Sequence, residues 1–271
     1  MGDLERTLKS LDLTSIDFVT FSGTGEPTLN LKLGEIAELV KSRIKGIPMA
    51  ILTNSSLFYR DDVRRNLRSF DLVVAKFDAG DDETLRLINR PADHKLTVDK
   101  IIESIRRLRS EVSGMIALEV MLLETEDGRV SNVDGRSLSN LIDGILTIKP
   151  DIVQLEVPYR PPSEKSVKVP SSEKIDSIAK ILSKELGEKR IWVYGRHDRR
   201  GKPVRWLRHE RLEDMVLNLL ERRPCRPIDV SISLGISPAD VETILKKFME
   251  ENLISSAKIG DETFYMRRIK P

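Results

Sequence analysis

The chain has 271 residues, enough for one large domain or for a medium and a small one. Hydrophobic residues make up 39% and charged residues 32%, which excludes a disordered polar chain. A net charge of +2 gives the whole chain no bias towards nucleic acid. A single cysteine, Cys225, excludes an intrachain disulfide framework. No signal peptide opens the chain and no apolar run reaches the length of a membrane span, so a cytoplasmic protein with no membrane partner is expected.

The first two-thirds alternates β-branched runs with helical stripes. Leu4, Leu8 and Leu11 share a helical face, and Ile16 to Phe21 reads as a strand. Ile36, Leu39 and Val40 mark a helix, Met49 to Leu52 a strand, Asp61 to Leu67 a helix and Leu72 to Phe77 a strand. Val98, Ile101, Ile102, Ile105 and Leu108 form a clear stripe before the strand Met115 to Leu123. Leu138, Leu141, Ile142 and Ile145 precede the strand Ile152 to Val157. Ile175, Ile178, Ala179 and Leu182 precede the strand Ile191 to Tyr194. Nearly all-apolar strands alternating with amphipathic helices predict an α/β fold with a parallel sheet. The chain opens on a helix, so either the sheet begins at Ile16 or a strand lies upstream.

Around Arg196 the composition changes. Arg196, Arg199, Arg200, Lys202, Arg205 and Arg208 crowd a stretch containing Gly201 and Pro203, which reads as a basic linker over 196–208. Beyond it, Leu212 to Leu220, Ile228 to Leu234 and Val241 to Phe248 predict three helices, the last started by Ser237 as N-cap and Pro238 in the first turn. Leu253 to Ile259 and Thr263 to Ile269, joined at Gly260-Asp261, predict a hairpin. The outline is a winged helix-turn-helix over 209–271.

The most specific segment is Phe21-Ser22-Gly23-Thr24-Gly25-Glu26-Pro27-Thr28-Leu29, between a strand and a helix. Its two glycines allow a ligand close to the backbone, at the sheet edge where barrels keep their sites. It lacks the Gly-Lys-Ser/Thr of a phosphate loop and the third glycine of a dinucleotide fingerprint. Without a ligand, it is a tight strand-to-helix turn. Polar groups recur at later strand ends: Thr53, Asn54 and Ser55; Lys76 and Asp78; Gln154 and Glu156; Tyr159 and Arg160, with Glu119 inside a strand. Such groups either converge on a site or, for Glu119 and Glu156, face outward as partners of lysines on covering helices.

Ser22 to Pro27 resembles the Gly-Gly-Glu-Pro motif of the radical S-adenosylmethionine superfamily, and Thr53-Asn54-Ser55 the Thr-Asn-Gly ending its next strand. Phe77-Asp78-Ala79 with Arg90-Pro91, and Val153 to Pro158 with Arg160-Pro161-Pro162, resemble segments of its archaeal-type iron–sulfur oxidoreductases and wyosine-type tRNA modification enzymes. The likeness covers roughly residues 4 to 195. It implies a partial (β/α)6 TIM-like barrel over 1–195 that uses S-adenosylmethionine, with a 4Fe–4S cluster, to generate a 5′-deoxyadenosyl radical. It places Ser22, Gly23, Thr24, Gly25 and Glu26 at the cofactor's methionyl amine. Asn54 and Asp78 would lie near its methionyl or ribose groups, and Met121 and Gln154 near its adenine, mostly through backbone contacts. The Cys-x3-Cys-x2-Cys cluster motif has no counterpart in this sequence. The resemblance therefore implies a chain truncated before the first barrel helix, without its first strand and cluster loop. The cluster is then expected only in a longer parent, and this chain is inactive alone.

Two other classes compete: a ligand-sensing transcriptional regulator with a DNA-binding winged helix, and a cluster-free barrel hydrolase using Glu26, Asp78 and Glu156. Only three histidines limit the latter's metal options. In the tail, Lys246, Lys247, Arg267 and Arg268, with Lys258, are candidates for RNA or DNA phosphates. Glu242, Glu250 and Glu251 dilute that charge, and a packing or dimerisation module remains the alternative.

Overall fold

The computed structural model describes residues 2–10, 16–194 and 212–268. These form two compact units, 2–157 with 166–194 and 158–165 with 212–268. The linker expected at 196–208 lies outside the described residues.

The first unit runs α1 (Gly2–Ser10), β1 (Val19–Phe21), α2 (Leu33–Arg43), β2 (Met49–Thr53), α3 (Asp61–Leu67), β3 (Leu72–Lys76) and α4 (Asp82–Ile88). It continues α5 (Val98–Glu111), β4 (Met115–Met121), β5 (Glu124–Thr125), α6 (Gly135–Ile148), β6 (Ile152–Glu156), β7 (Val167–Lys168), α7 (Ser172–Leu186) and β8 (Ile191–Val193). Six strands, β1-β2-β3-β4-β6-β8 in that order, pair in parallel. Helical connections between parallel neighbours make this α/β sheet a partial barrel of the TIM type. β5 and β7 form a separate antiparallel ribbon joining the loops after β4 and β6.

The strands are apolar because one face is sealed by helices. Ile51, Val73, Ala75, Ile116, Leu118, Val120, Val153 and Leu155 are all buried in one core. α5 adds Val98, Ile101, Ile105 and Leu108 from one side of the helix. Its start is set by Thr97, whose hydroxyl accepts the Lys100 N–H at 3.3 Å. A buried arginine, Arg64, is tolerated because its guanidinium donates to Glu111 (3.0 Å), to the Phe58 carbonyl (2.7 Å) and to Asp61.

Three elements differ from the sequence expectation. The first strand begins at Val19, where pairing with Met49 starts, and Phe18 before it is exposed. α4 was not anticipated: its seven residues bury only Thr84 and Leu85, too few for a helical stripe. Nor was the β5–β7 ribbon, two residues per strand and held in part by Glu124 with Lys168 and Lys174.

The second unit runs α8 (Leu212–Arg222), α9 (Pro227–Leu234), α10 (Pro238–Glu250), β9 (Ile254–Ile259) and β10 (Glu262–Arg267), with β9 and β10 an antiparallel hairpin. Val216, Leu220, Val230, Val241, Leu245, Phe248 and Ile254 build its core. Ser237 caps α10 by accepting the Asp240 N–H at 3.1 Å, with Pro238 in the first turn. This is the three-helix and hairpin order expected from the sequence.

Candidate functional site

The C-terminal ends of β1 to β4 carry the polar groups. Glu26 organises the first of them. Its Oε1 accepts from the Thr28 N–H (3.0 Å), the Thr28 hydroxyl (2.6 Å) and the Thr53 hydroxyl (2.6 Å), and its Oε2 accepts the Asn54 N–H (2.7 Å). Glu26 thus caps the short 3-10 turn Pro27–Leu29 and staples the loop after β1 to the end of β2. The Ser22–Gly25 loop is left exposed beside it.

The glycines of that loop are not explained by the fold. Neither Gly23 nor Gly25 has a positive φ. A Cβ on Gly25 would meet nothing within 4 Å, and one on Gly23 only the Gly25 backbone at 3.5 Å. At Gly80, by contrast, a Cβ would sit 2.0 Å from the Asn140 backbone, and at Gly144 2.7 Å from the Phe77 ring. Those two glycines are demanded by packing, whereas Gly25 leaves open space that a side chain would fill.

Asp78, expected near the cofactor's methionyl or ribose groups, is tied into the protein by hydrogen bonds. It is 4% exposed; one oxygen accepts the Met121 N–H (2.8 Å) and the other the Asn89 amide (2.6 Å). Burial pushes its carboxyl above the usual range, against the pull of Lys76, the Met121 N–H and Asn89. Met121, expected near the adenine, gives its N–H to Asp78 and its carbonyl accepts from Asn132 at 2.7 Å, so its backbone is engaged within the protein. Asn132, fully buried, also donates to the Asp78 carbonyl (2.9 Å) and accepts the Leu123 N–H (2.9 Å). Asn89 and Asn132 hold the ends of β3 and β4 together. Neither stood out in the sequence, because their partners lie on other elements.

The less buried face of the sheet carries a polar row. Lys76, Glu119, Gln154 and Trp192 pair in register across β3, β4, β6 and β8. Lys76 donates to Glu119 at 2.7 Å and lies 3.8 Å from Asp78. Burial works against the Lys76 charge, but Asp78, Glu119 and Glu156 outweigh it and hold the ammonium above its ordinary pKa. Glu119 therefore faces Lys76 on the neighbouring strand.

Two clefts open along this edge. The smaller, about 320 Å³, is lined by Ser22, Gly23, Gly25, Glu26, Asn54, Lys76 and Glu119, among others. The larger, about 590 Å³, takes in Glu26, Asn54, Asp78 and Met121. Thr24 and Gln154 line neither of these two. Cys225 is buried in the second unit, and among the described residues no group of three or more His, Cys, Asp and Glu could hold a metal. The thiolates of a 4Fe–4S cluster are thus not supplied by this sequence, while the open glycine loop fits a nucleoside-bearing cofactor.

In the second unit, Lys247 is paired with Glu213 (2.7 Å) and Arg267 with Glu221 (2.5 Å). Lys246 and Arg268 are exposed. Two of the five cations expected to meet nucleic acid are therefore neutralised locally, and nothing further supports that role. No helix among the described residues is long and apolar enough to cross a membrane.

Fold and clefts together define an α/β partial barrel with polar groups gathered at the C-terminal edge of its sheet. The model of the radical SAM superfamily matches residues 2–130. A UPF0026 protein of Methanocaldococcus jannaschii is 32% identical over 268 residues, 98% of this chain and 79% of that protein. A UPF0026 protein of Synechocystis sp. is 32% identical over 160 residues, 59% of this chain and 57% of that protein, so the chain spans little more than half of the latter's length. Among solved structures, Streptococcus suis SuiB bound to S-adenosylmethionine aligns with a TM-score of 0.48 at 14% identity, covering 72% of this chain and 42% of that one. The chain belongs to the radical SAM superfamily, within the UPF0026 family. S-adenosylmethionine and a 4Fe–4S cluster are the cofactors that membership implies. The regulator alternative gains no support from these relatives.

Proposed function

We propose that the loop Ser22 to Glu26 and Asn54 hold S-adenosylmethionine at the sheet edge, as part of a radical SAM oxidoreductase. The observation that carries this is Gly25, whose glycine identity is required by neither backbone conformation nor packing. When bound, the cofactor would take one electron from a 4Fe–4S cluster whose thiolates this sequence does not provide, break a carbon–sulfur bond to release methionine, and so supply a carbon-centred radical able to abstract hydrogen from a substrate.

The chain's own residues bind and orient. Gly23 and Gly25 let a ligand approach the loop backbone. Glu26 acts on that loop indirectly, by fixing it against β2 through Thr53 and Asn54. Lys76, kept protonated by its carboxylate neighbours, presents a fixed cation at the same edge. Asp78 serves as a positioning residue for Met121. The same reading divides the chain into a barrel (1–195), a linker (196–208) and a winged-helix domain (209–271), in a reducing cytoplasmic setting that suits an iron–sulfur protein.

Equilibrium dialysis of the chain with labelled S-adenosylmethionine tests this. The expected result is saturable binding that Gly25→Val weakens at least tenfold, about 1.4 kcal/mol, with no change in thermal midpoint because a Cβ there meets nothing within 4 Å. Wild-type affinity in Gly25→Val would overturn the assignment.

A further inference from the structure

The two clefts at the sheet edge differ in chemistry. They share Glu26, Asn54 and Lys76 as a partition. That partition is committed inward: Glu26 to Thr28, Thr53 and Asn54, and Lys76 to Glu119. The smaller cleft presents the exposed glycine loop. The larger is walled mainly by Leu29, Leu57, Tyr59, Ile88, Leu96 and Leu123.

Several polar groups of the larger cleft are engaged within the protein, and exposed Arg90 donates through Nε to the Leu87 carbonyl at 3.2 Å. Both Asp78 oxygens accept internal hydrogen bonds, and the Asn89 amide is one of the donors. Asp93 accepts the Lys95 N–H at 2.9 Å. The Tyr59 ring is backed by the Lys100 ammonium, 4.0 Å from its centroid, which fixes an aromatic surface at the mouth. Along the apolar wall, away from Arg90 and Lys76, a charged ligand group would lose its water without gaining a partner, whereas an apolar group gains by burial.

We infer that the larger cleft seats the uncharged, hydrocarbon-rich part of the substrate, an aliphatic or aromatic ring system, across the Glu26–Asn54–Lys76 partition from the cofactor. This rests on the proposal that the glycine loop holds S-adenosylmethionine. Two ligands at once would then occupy the edge, one in each cleft.

The test uses the whole chain and the neutral fluorophore N-phenyl-1-naphthylamine. The fluorophore should bind saturably at one site. Leu29→Asp, at a position two-thirds exposed and so harmless to the fold, and Ser56→Trp, which narrows the cleft, should each weaken it at least tenfold with circular dichroism unchanged. Saturating S-adenosylmethionine should not displace the fluorophore, and Gly25→Val should bind it as wild type does. Absence of saturable binding, or equal binding by both folded cleft variants, overturns the inference. Competitive displacement also overturns it, making the cleft with Met121 in its wall the cofactor's own seat. Fluorophore binding with these variant effects, in a chain that does not bind S-adenosylmethionine, leaves the apolar seat standing and removes the cofactor assignment instead.

Discussion

Asp78 shows how a residue can stand at a functional edge and act on the fold. Its carboxylate joins the end of β3 to the first residue beyond α4 and to the last residue of β4. Asp78→Ala removes a buried acceptor from the Met121 N–H and the Asn89 amide. A cost of about 1–3 kcal/mol is expected, read by urea unfolding, with any loss of cofactor affinity following from a displaced Met121. An unchanged midpoint would mean the two donors find other partners. The sequence marked Asp78 because it follows a strand, a local signal. It did not mark Asn89 and Asn132, which complete the arrangement from 11 and 54 positions away. Glu26 was legible for the same local reason, but its four hydrogen bonds reach across to β2, so its stapling role was not.

At the scale of elements, two glycines with similar sequence surroundings have opposite meanings. Gly80 lies where the loop before α4 touches α6, and a Cβ there would stand 2.0 Å from the Asn140 backbone. Gly80→Ala should cost about 3 kcal/mol, the upper end of overpacking penalties, and lower the unfolding midpoint, while Gly25→Val should not. Differential scanning calorimetry of both variants checks the contrast.

Helix α9 gives a pH-dependent case. Asp229 is partly buried, which opposes its charge, but hydrogen bonds from the Arg226 side chain and backbone outweigh this and hold its pKa below the usual value. A lowered folded pKa means stability that is present above the unfolded pKa of about 3.9 and lost as pH falls through the folded value. Asp229→Asn should therefore loosen α9 at pH 7 by about 0.5–2 kcal/mol, as loss of a cap does. Hydrogen exchange of the α9 amides should show the difference from wild type shrinking below pH 4. A difference that persists undiminished in acid would place its origin in packing.

For the whole molecule, the alternation of strands and helices was readable because each core strand is mostly apolar and each long helix carries a 3.6-residue stripe, as in α5. The short α4 and the β5–β7 ribbon were not, since neither has enough apolar residues to set a period. The candidate site was legible as a set of strand ends, and the division of that edge into a polar and an apolar cleft was not, because it depends on which side chains from distant loops meet. The central claim is that the loop after β1 and the end of β2 hold S-adenosylmethionine. Its most direct test is the amide correlation spectrum of the 15N-labelled chain during titration with the cofactor. The account predicts saturable shifts at Ser22 to Glu26 and Asn54, with the amides of 212–268 unmoved. Shifts that leave the Ser22 to Glu26 loop unmoved, or that fall mainly in the second unit, would contradict it.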